Sequence, residues 1–235
     1  MSGSIRLFVS EPLFAGAVIA PSAGQAHYLG SVMRRAVGDE IRLFNGQDGE
    51  WRARIDGIRK DKATLTVATP LRAQAPETDI WLVFAPLKRD ATDLVVQKAT
   101  ELGVAALLPV FTERTNAGRV NLDRLAAIAT EAAEQCERLS VPVLHPPVTL
   151  PALIAAWPMQ RPLFVAMERA DLPGLRACAG PAGLLVGPEG GFSHKDHEIL
   201  MIDGKTSFVT LGPRVLRAET AAIVGLALLQ APSCG

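Results

Sequence analysis

Two stretches near the C-terminus carry residue types suited to holding a small molecule by its backbone. They are Gly187-Pro188-Glu189-Gly190-Gly191 and Leu211-Gly212-Pro213-Arg214-Val215-Leu216-Arg217-Ala218-Glu219-Thr220-Ala221. Each begins where an apolar run stops, at 183–186 and 207–211. Glycines after a parallel strand let bare main chain approach a ligand and tolerate positive φ. Two such loops close together point to one shared pocket. The Glu189 carboxylate can accept bonds from ribose hydroxyls or nearby amides. It can equally cap the helix that follows, as Ser193 can. Arg217 and Glu219 stand before a helix that is almost wholly apolar from Ala221 onward. Charges there are costly unless they pair with each other or serve a site. Thr220 is a candidate N-cap.

A third cluster is polar. Lys98 and Glu101 end one helical segment, and Glu113 and Arg114 follow a strand-like run at 105–110. Glu131, Gln135 and Arg138 are spaced four and three apart, which places them on one helix face. By spacing alone, that face reads as an exposed, salt-bridged surface.

The elements that position these residues fall into two groups, with the expected boundary at a Pro-containing segment, 71–77. Residues 1–72 show short strands at 5–9, 39–44, 50–55 and 63–68, with one helix at 27–35. Asn45-Gly46-Gln47-Asp48-Gly49 supplies hairpin turn chemistry. Short strands joined by tight turns predict a small barrel. Residues 73–235 alternate strands (80–85, 105–110, 163–167, 183–186, 208–211) with helices (90–102, 122–138, 220–230). That order predicts an α/β domain whose parallel sheet is covered on both faces.

Composition excludes several classes. Hydrophobic residues make up 49% of the 235, enough for a buried core and against disorder. Net charge is zero, but residues 1–72 hold ten Lys/Arg against seven Asp/Glu, a modest basic bias compatible with nucleic acid. Cys136, Cys178 and Cys234 lack metal-ligand spacing and read as reduced thiols of a cytoplasmic protein. No metal site is expected. The N-terminus lacks a signal-peptide core, and the longest apolar run, 221–229, is too short to cross a bilayer. No G-x-G-x-x-G, P-loop, G-x-S-x-G or H-E-x-x-H motif occurs, which disfavours a nicotinamide enzyme, a P-loop NTPase, an α/β hydrolase and a zincin.

Taken together the motifs resemble the bacterial 16S ribosomal RNA (uracil-N3)-methyltransferases of the SPOUT superfamily. The similarity runs almost end to end. It includes Arg6-Leu7-Phe8, His27 with Val32-Met33-Arg34, Gly38-Asp39, Lys88, Lys98-x-x-Glu101-Leu102-Gly103-Val104 and Thr112-Glu113-Arg114. It continues through Glu131-x-x-Glu134-Gln135-x-x-Arg138, Gly187-Pro188-Glu189-Gly190-Gly191-Phe192-Ser193 and the Leu211 to Ala221 motif. Thr115 where a serine is expected, Arg89-Asp90 after Lys88, and the short tail depart from the pattern.

The resemblance implies a PUA-like β-barrel domain at 1–72 that helps hold RNA. It implies a SPOUT domain at 73–235 whose chain threads a trefoil knot. It further implies S-adenosylmethionine as cofactor, 16S rRNA in the 30S subunit as substrate, and a homodimer with no membrane association. On this basis the cofactor is expected at backbone groups of Gly187, Gly190, Leu211, Leu216 and Ala221. Glu189, Arg217, Glu219 and Thr220 would shape the pocket, and Met167 would line it. Lys98, Arg114 and Arg138 are the expected cations for a developing uracil oxyanion. Arg6, Arg34, Arg35, Arg52 and Arg54 are the expected phosphate contacts. A barrel that kept RNA binding but lost chemistry is disfavoured by the intact C-terminal motifs.

Overall fold

Alternating apolar residues in the first part of the chain all turn to one side of a single mixed sheet. A computed structural model describes residues 5–168, 171–202 and 204–231, so Cys234 and the chain ends lie outside the described residues. The chain divides into two units, Met1–Pro76 with Ala133–Val141, and Glu77–Ala132 with Pro142–Gly235.

In the first unit the strand order is β1 (Arg6–Phe8), β3 (Glu40–Phe44), β4 (Glu50–Arg59), β5 (Lys62–Arg72) and β2 (Val18–Ile19). β1 runs parallel to β3, and the other pairs are antiparallel. Ile41, Leu43, Ala53, Ile55, Leu65 and Val67 fill the core beneath it. The expected helix at 27–35 differs: α1 (Ala23–His27) starts at a Ser22–Gln25 capping box and widens into a π-helical turn, Tyr28–Val32. Arg34 then takes a left-handed φ of 52°, which ends the helical path.

On this unit lies a buried charge cluster. Glu50 is 1% exposed and Arg6 is 5% exposed. Arg6 Nε donates to Glu50 Oε1 at 2.5 Å, and Arg72 Nε donates to Glu50 Oε2 at 2.9 Å. The other Arg6 nitrogens donate to the carbonyls of Ala133, Glu134 and Arg138 at 2.9, 2.9 and 2.6 Å. The Arg6 guanidinium also lies 4.4 Å from the centre of the Phe44 ring. Arg6 is therefore a structural anchor and is withdrawn from the phosphate contacts, because its charge is neutralised and its donors are spent inside the fold. Burial pushes the Glu50 carboxyl up, but the hydrogen bonds and charges of Arg72 and Arg6 outweigh it and hold the group below its ordinary value of 4.5.

The second unit is a parallel sheet in the order β12 (Thr206–Thr210), β10 (Leu163–Met167), β11 (Ala182–Val186), β6 (Ile80–Phe84), β7 (Ala106–Phe111) and β8 (Val143–Leu144). β9 (Val148–Thr149) also pairs with β7. The central strands β6, β7 and β11 are apolar on both faces because helices cover both. Val83, Leu108, Val165 and Leu185 pack with α4 (Leu150–Ala156) and α5 (His194–Met201). On the opposite face α6 (Ala218–Leu229) lies against β6 and β11 and packs with α2 (Arg89–Glu101). The approach is close: a Cβ on Gly225 of α6 would stand 2.6 Å from Leu184 Cδ2.

Two helix ends differ from expectation. The N-cap of α6 is Arg217, and Thr220 lies inside the first turn, so Thr220 is not the cap. α3 (Leu122–Gln135) stops before Arg138, and Glu137 adopts φ 61°. Arg138 therefore does not extend the helix face of Glu131 and Gln135. It is buried, and its Nη2 donates to Ser140 Oγ at 3.2 Å.

A carboxylate held below its ordinary value stabilises the fold above pH 4.5 and loses that contribution as pH falls through its folded value. Glu50→Gln should cost about 3 kcal/mol at neutral pH, because it leaves the buried Arg6 charge unmatched. It should also flatten the acid limb of urea-unfolding midpoints measured between pH 7 and pH 3. Equal midpoints for wild type and variant across that range would contradict the cluster.

Candidate functional site

Adjacent parallel strands end together, so loops that leave their C-terminal ends share one edge of the sheet. Here β10, β11 and β12 are neighbours, and the loops after them enclose a cavity of about 480 Å³. This is within the range of roughly 300–1,000 Å³ typical of small-molecule sites. β10 contributes Ala166 and Met167, followed by Glu168. After β11 the wall runs through Gly187, Pro188, Glu189, Gly190 and Gly191. After β12 it includes Leu211, Gly212, Leu216, Arg217 and Ala221.

Local signals hold these loops in shape. Ser193 caps α5, accepting from the Asp196 amide at 3.1 Å, while Asp196 Oδ2 accepts from the Ser193 amide at 2.9 Å. Asp196 is 3% exposed, and its other oxygen accepts from the Glu113 amide at 3.3 Å. That bond fixes the loop after β7 beside the start of α5. Arg114, next in that loop, donates from Nη1 to the Gly190 carbonyl at 2.9 Å. Gly191 has φ +67° and Gly212 has φ +130°, conformations that side chains resist. A Cβ at Gly187 would meet the Phe192 ring at 3.0 Å, so that strand end is closely packed.

The wall mixes charge. Arg114, Arg214 and Arg217 face it together with Glu168 and Glu189. His197 also lines it, stacked on Phe208 with ring centres 6.0 Å apart and edge-on to Phe192. No ion pair joins Arg217 to Glu219 among the described residues.

Of the expected ligand contacts, Met167, Gly187, Glu189, Gly190, Leu211, Leu216, Arg217 and Ala221 line the cavity, and Glu219 and Thr220 do not. Arg114 joins the wall. Lys98 does not, because it lies near the end of α2, which leads back to the start of β7, and it pairs with Glu101 at 2.8 Å. A helix that returns antiparallel to its strands carries its last turn to the opposite sheet edge, so Lys98 is not in this chain's own cavity. Arg138 belongs to the first unit. Arg34 is exposed, Arg35 stands 3.9 Å from Asp39, Arg52 3.5 Å from Glu40 and Arg54 2.9 Å from Asp56. Sequence reasoning misses Glu168, His197 and Arg214, which also line the cavity. The available signal for Glu168 is its place just past the end of a buried strand; His197 is four residues after the helix cap.

Comparison with known proteins agrees with this geometry. Residues 74–230 match an RNA methyltransferase domain family, and residues 22–68 match an RNA methyltransferase PUA domain family. The chain belongs to the ribosomal RNA small subunit methyltransferase E family. It is 31% identical over 227 residues to a protein of that name from Rickettsia conorii, covering 94% of this chain and 93% of the relative. A Synechocystis relative of the same name is 30% identical over 241 residues, covering 96% and 77%. A crystal structure of ribosomal RNA small subunit methyltransferase E from Neisseria gonorrhoeae bound to S-adenosyl methionine superposes with a TM-score of 0.87. It is 26% identical and covers 96% of each chain. A Legionella pneumophila protein in complex with the cofactor SAM gives 0.85 at 30% identity, covering 97% and 98%.

Within this family fold, Asp196 joins two loops of the wall. Asp196→Ala should lower stability by about 2 kcal/mol, because it leaves the Ser193 and Glu113 amides without their side-chain acceptor. It should also loosen Arg114 and weaken ligand binding, measured by calorimetric titration with S-adenosylmethionine. Asp196→Asn, which keeps an acceptor oxygen, should fall between alanine and wild type. Wild-type melting and titration in Asp196→Ala would show that the two loops are held by other means.

Proposed function

We propose that this chain uses S-adenosylmethionine to methylate N3 of a uridine in 16S rRNA of the small ribosomal subunit, in the cytoplasm and as a homodimer. The observation that carries the reading is the cavity formed by three adjacent strand ends in a chain of this family. Its donor set fits the cofactor. Glycines leave main-chain groups bare for an adenosyl moiety, the Arg side chains suit a carboxylate, and Glu168 and Glu189 suit an amine, ribose hydroxyls and a sulfonium charge. When bound, the cofactor supplies an electrophilic methyl group.

The reaction makes two demands on the chain's own residues. Uracil N3 must lose its proton, and the charge that then spreads to O2 and O4 must be stabilised. Arg114 is placed to stabilise that charge. One of its nitrogens is anchored on the Gly190 carbonyl, which orients the rest of the guanidinium at the cavity wall. The carboxylates in that wall are Glu168 and Glu189. They or water take the proton, whereas Glu101 is held in its pair with Lys98. Lys98 would meet the base only from a second copy of the chain.

The knotted path is part of the same proposal and rests on the resemblance to the SPOUT superfamily. Between β10 and β11, Gly174 bridges to Thr210, and the Cys178 amide donates to the Leu229 carbonyl at 3.0 Å. RNA phosphates are assigned to Arg34, Arg35, Arg52 and Arg54 of the 1–72 domain, with 73–235 performing transfer. N3 sits in the Watson–Crick edge, so the target base must be unpaired or flipped.

The test is incubation of the protein with methyl-labelled cofactor and 30S subunits that lack the modification. Label should appear in 16S rRNA and be recovered as 3-methyluridine after digestion to nucleosides. Absence of label would end the reading, and label on another atom would end its N3 part. Arg114→Ala should lower kcat about 100-fold. Arg217→Ala should weaken cofactor binding while the melting temperature of the free protein stays close to wild type.

A further inference from the structure

A second cavity in the same unit lies apart from the mixed-charge site in its composition. Its volume is about 440 Å³, and it is lined by Lys88, Arg89, Arg119 and Arg124 together with Thr92 and Asn121. No acidic side chain lines it. Arg124 is held by Asp93, with Nη1 to Oδ2 at 2.5 Å. Lys88, Arg89 and Arg119 have no carboxylate partner among the described residues. Three exposed cations without a carboxylate partner around one concavity give it a positive potential that attracts anions.

The start of α2 adds to this. Lys88 is its N-cap and makes no side-chain capping bond, so the first-turn amides are not satisfied by the cap. The neighbouring polar groups are already used: the Thr92 hydroxyl bonds the Leu87 backbone, and Asn121 Oδ1 accepts from the Arg124 amide. The one acidic residue in the first turn, Asp90, is exposed and outside the lining. The donors that remain are cationic, and they stand at the positive end of a helix of 13 residues.

We infer that this cavity binds a backbone phosphate of the RNA substrate, a contact separate from the methyl-transfer pocket. The inference rests on the rRNA methyltransferase reading for its choice of phosphodiester over a free phosphate ion. A phosphate contact positions the RNA without reading its sequence. Its loss therefore weakens binding uniformly and reduces the salt dependence.

The test uses the full chain carrying Lys88→Ala with Arg119→Ala, and a charge-keeping control, Lys88→Arg with Arg119→Lys. The dissociation constant for unmethylated 30S subunits is measured at stepped KCl concentrations, and cofactor affinity is measured by calorimetry. The alanine variant should bind subunits at least tenfold more weakly, with the slope of log affinity against log salt smaller by about 0.8, the value for one phosphate. Its cofactor affinity should equal wild type, which shows that the fold is intact, and the control should stay within threefold. Unchanged subunit affinity and slope in the alanine variant would overturn the inference. So would a calorimetric signal for inorganic phosphate that the alanine variant loses while its subunit affinity holds. Failure of wild type to transfer methyl to 30S subunits would strike the enzymatic reading instead, and the binding comparison would still judge the cavity.

Discussion

A single buried carboxylate organises the wall of the site. Asp196 is 3% exposed, and a charge so withdrawn from water must have its lone pairs met. One oxygen meets the Ser193 amide and the other the Glu113 amide, which lies 83 residues away in the chain. The positive end of α5 adds favourable field. The carboxylate thus terminates the 187–191 loop at a fixed helix start and pins the β7 loop beside it. Arg114 then reaches the Gly190 carbonyl with little freedom left to lose. Two of the loops in the cavity wall are thus held by satisfying one acid.

The parallel sheet sets the next constraint. Every strand in the second unit delivers its C-terminal end to the same edge, and every returning helix carries its last turn to the other. Residues that are close in sequence, such as Lys98 and the β7 loop, are therefore separated across the sheet. Residues far apart in sequence, such as Arg114 and Gly190, meet. A conspicuous motif reaches the cavity where it follows a strand or opens the next helix, as at Gly187–Gly191, His197 and Ala221. Lys98 follows a helix body, and its pairing with Glu101 is what such a position allows.

Legibility in the sequence follows the range of the interaction. The hairpin strands around 45–49 and the glycine loops after buried strands depend on a few neighbouring residues, and these read correctly from types and spacing; the cap of α5, open between Glu189 and Ser193 in the sequence, is Ser193. Thr220 reads wrongly as a cap because Arg217 begins α6 without a capping side chain, so no local signal marks the start. Arg138 reads as helical because a helical i, i+3 spacing continues past Gln135, while the turn at Glu137 breaks it. Arg6 carries a charge that looks available until Glu50, 44 residues on, and three carbonyls beyond residue 130 consume its donors. Charge type is local information, and charge neutralisation is not.

The two cavities of the second unit show how that neutralisation sorts ligands. A cofactor with carboxylate, amine, hydroxyl and sulfonium groups needs donors, acceptors and both signs of charge at short range, and the wall with Arg114, Arg217, Glu168 and Glu189 offers them. Such a wall is nearly neutral and does little to draw a polyanion from a distance. The concavity around Lys88 and Arg119 is the reverse: its field is uncompensated but offers little discrimination between one phosphate and the next. Discrimination and attraction make opposite demands on the placement of carboxylates. A small enzyme that must hold a zwitterionic donor and a charged polymer on one sheet satisfies both only by keeping the two environments apart.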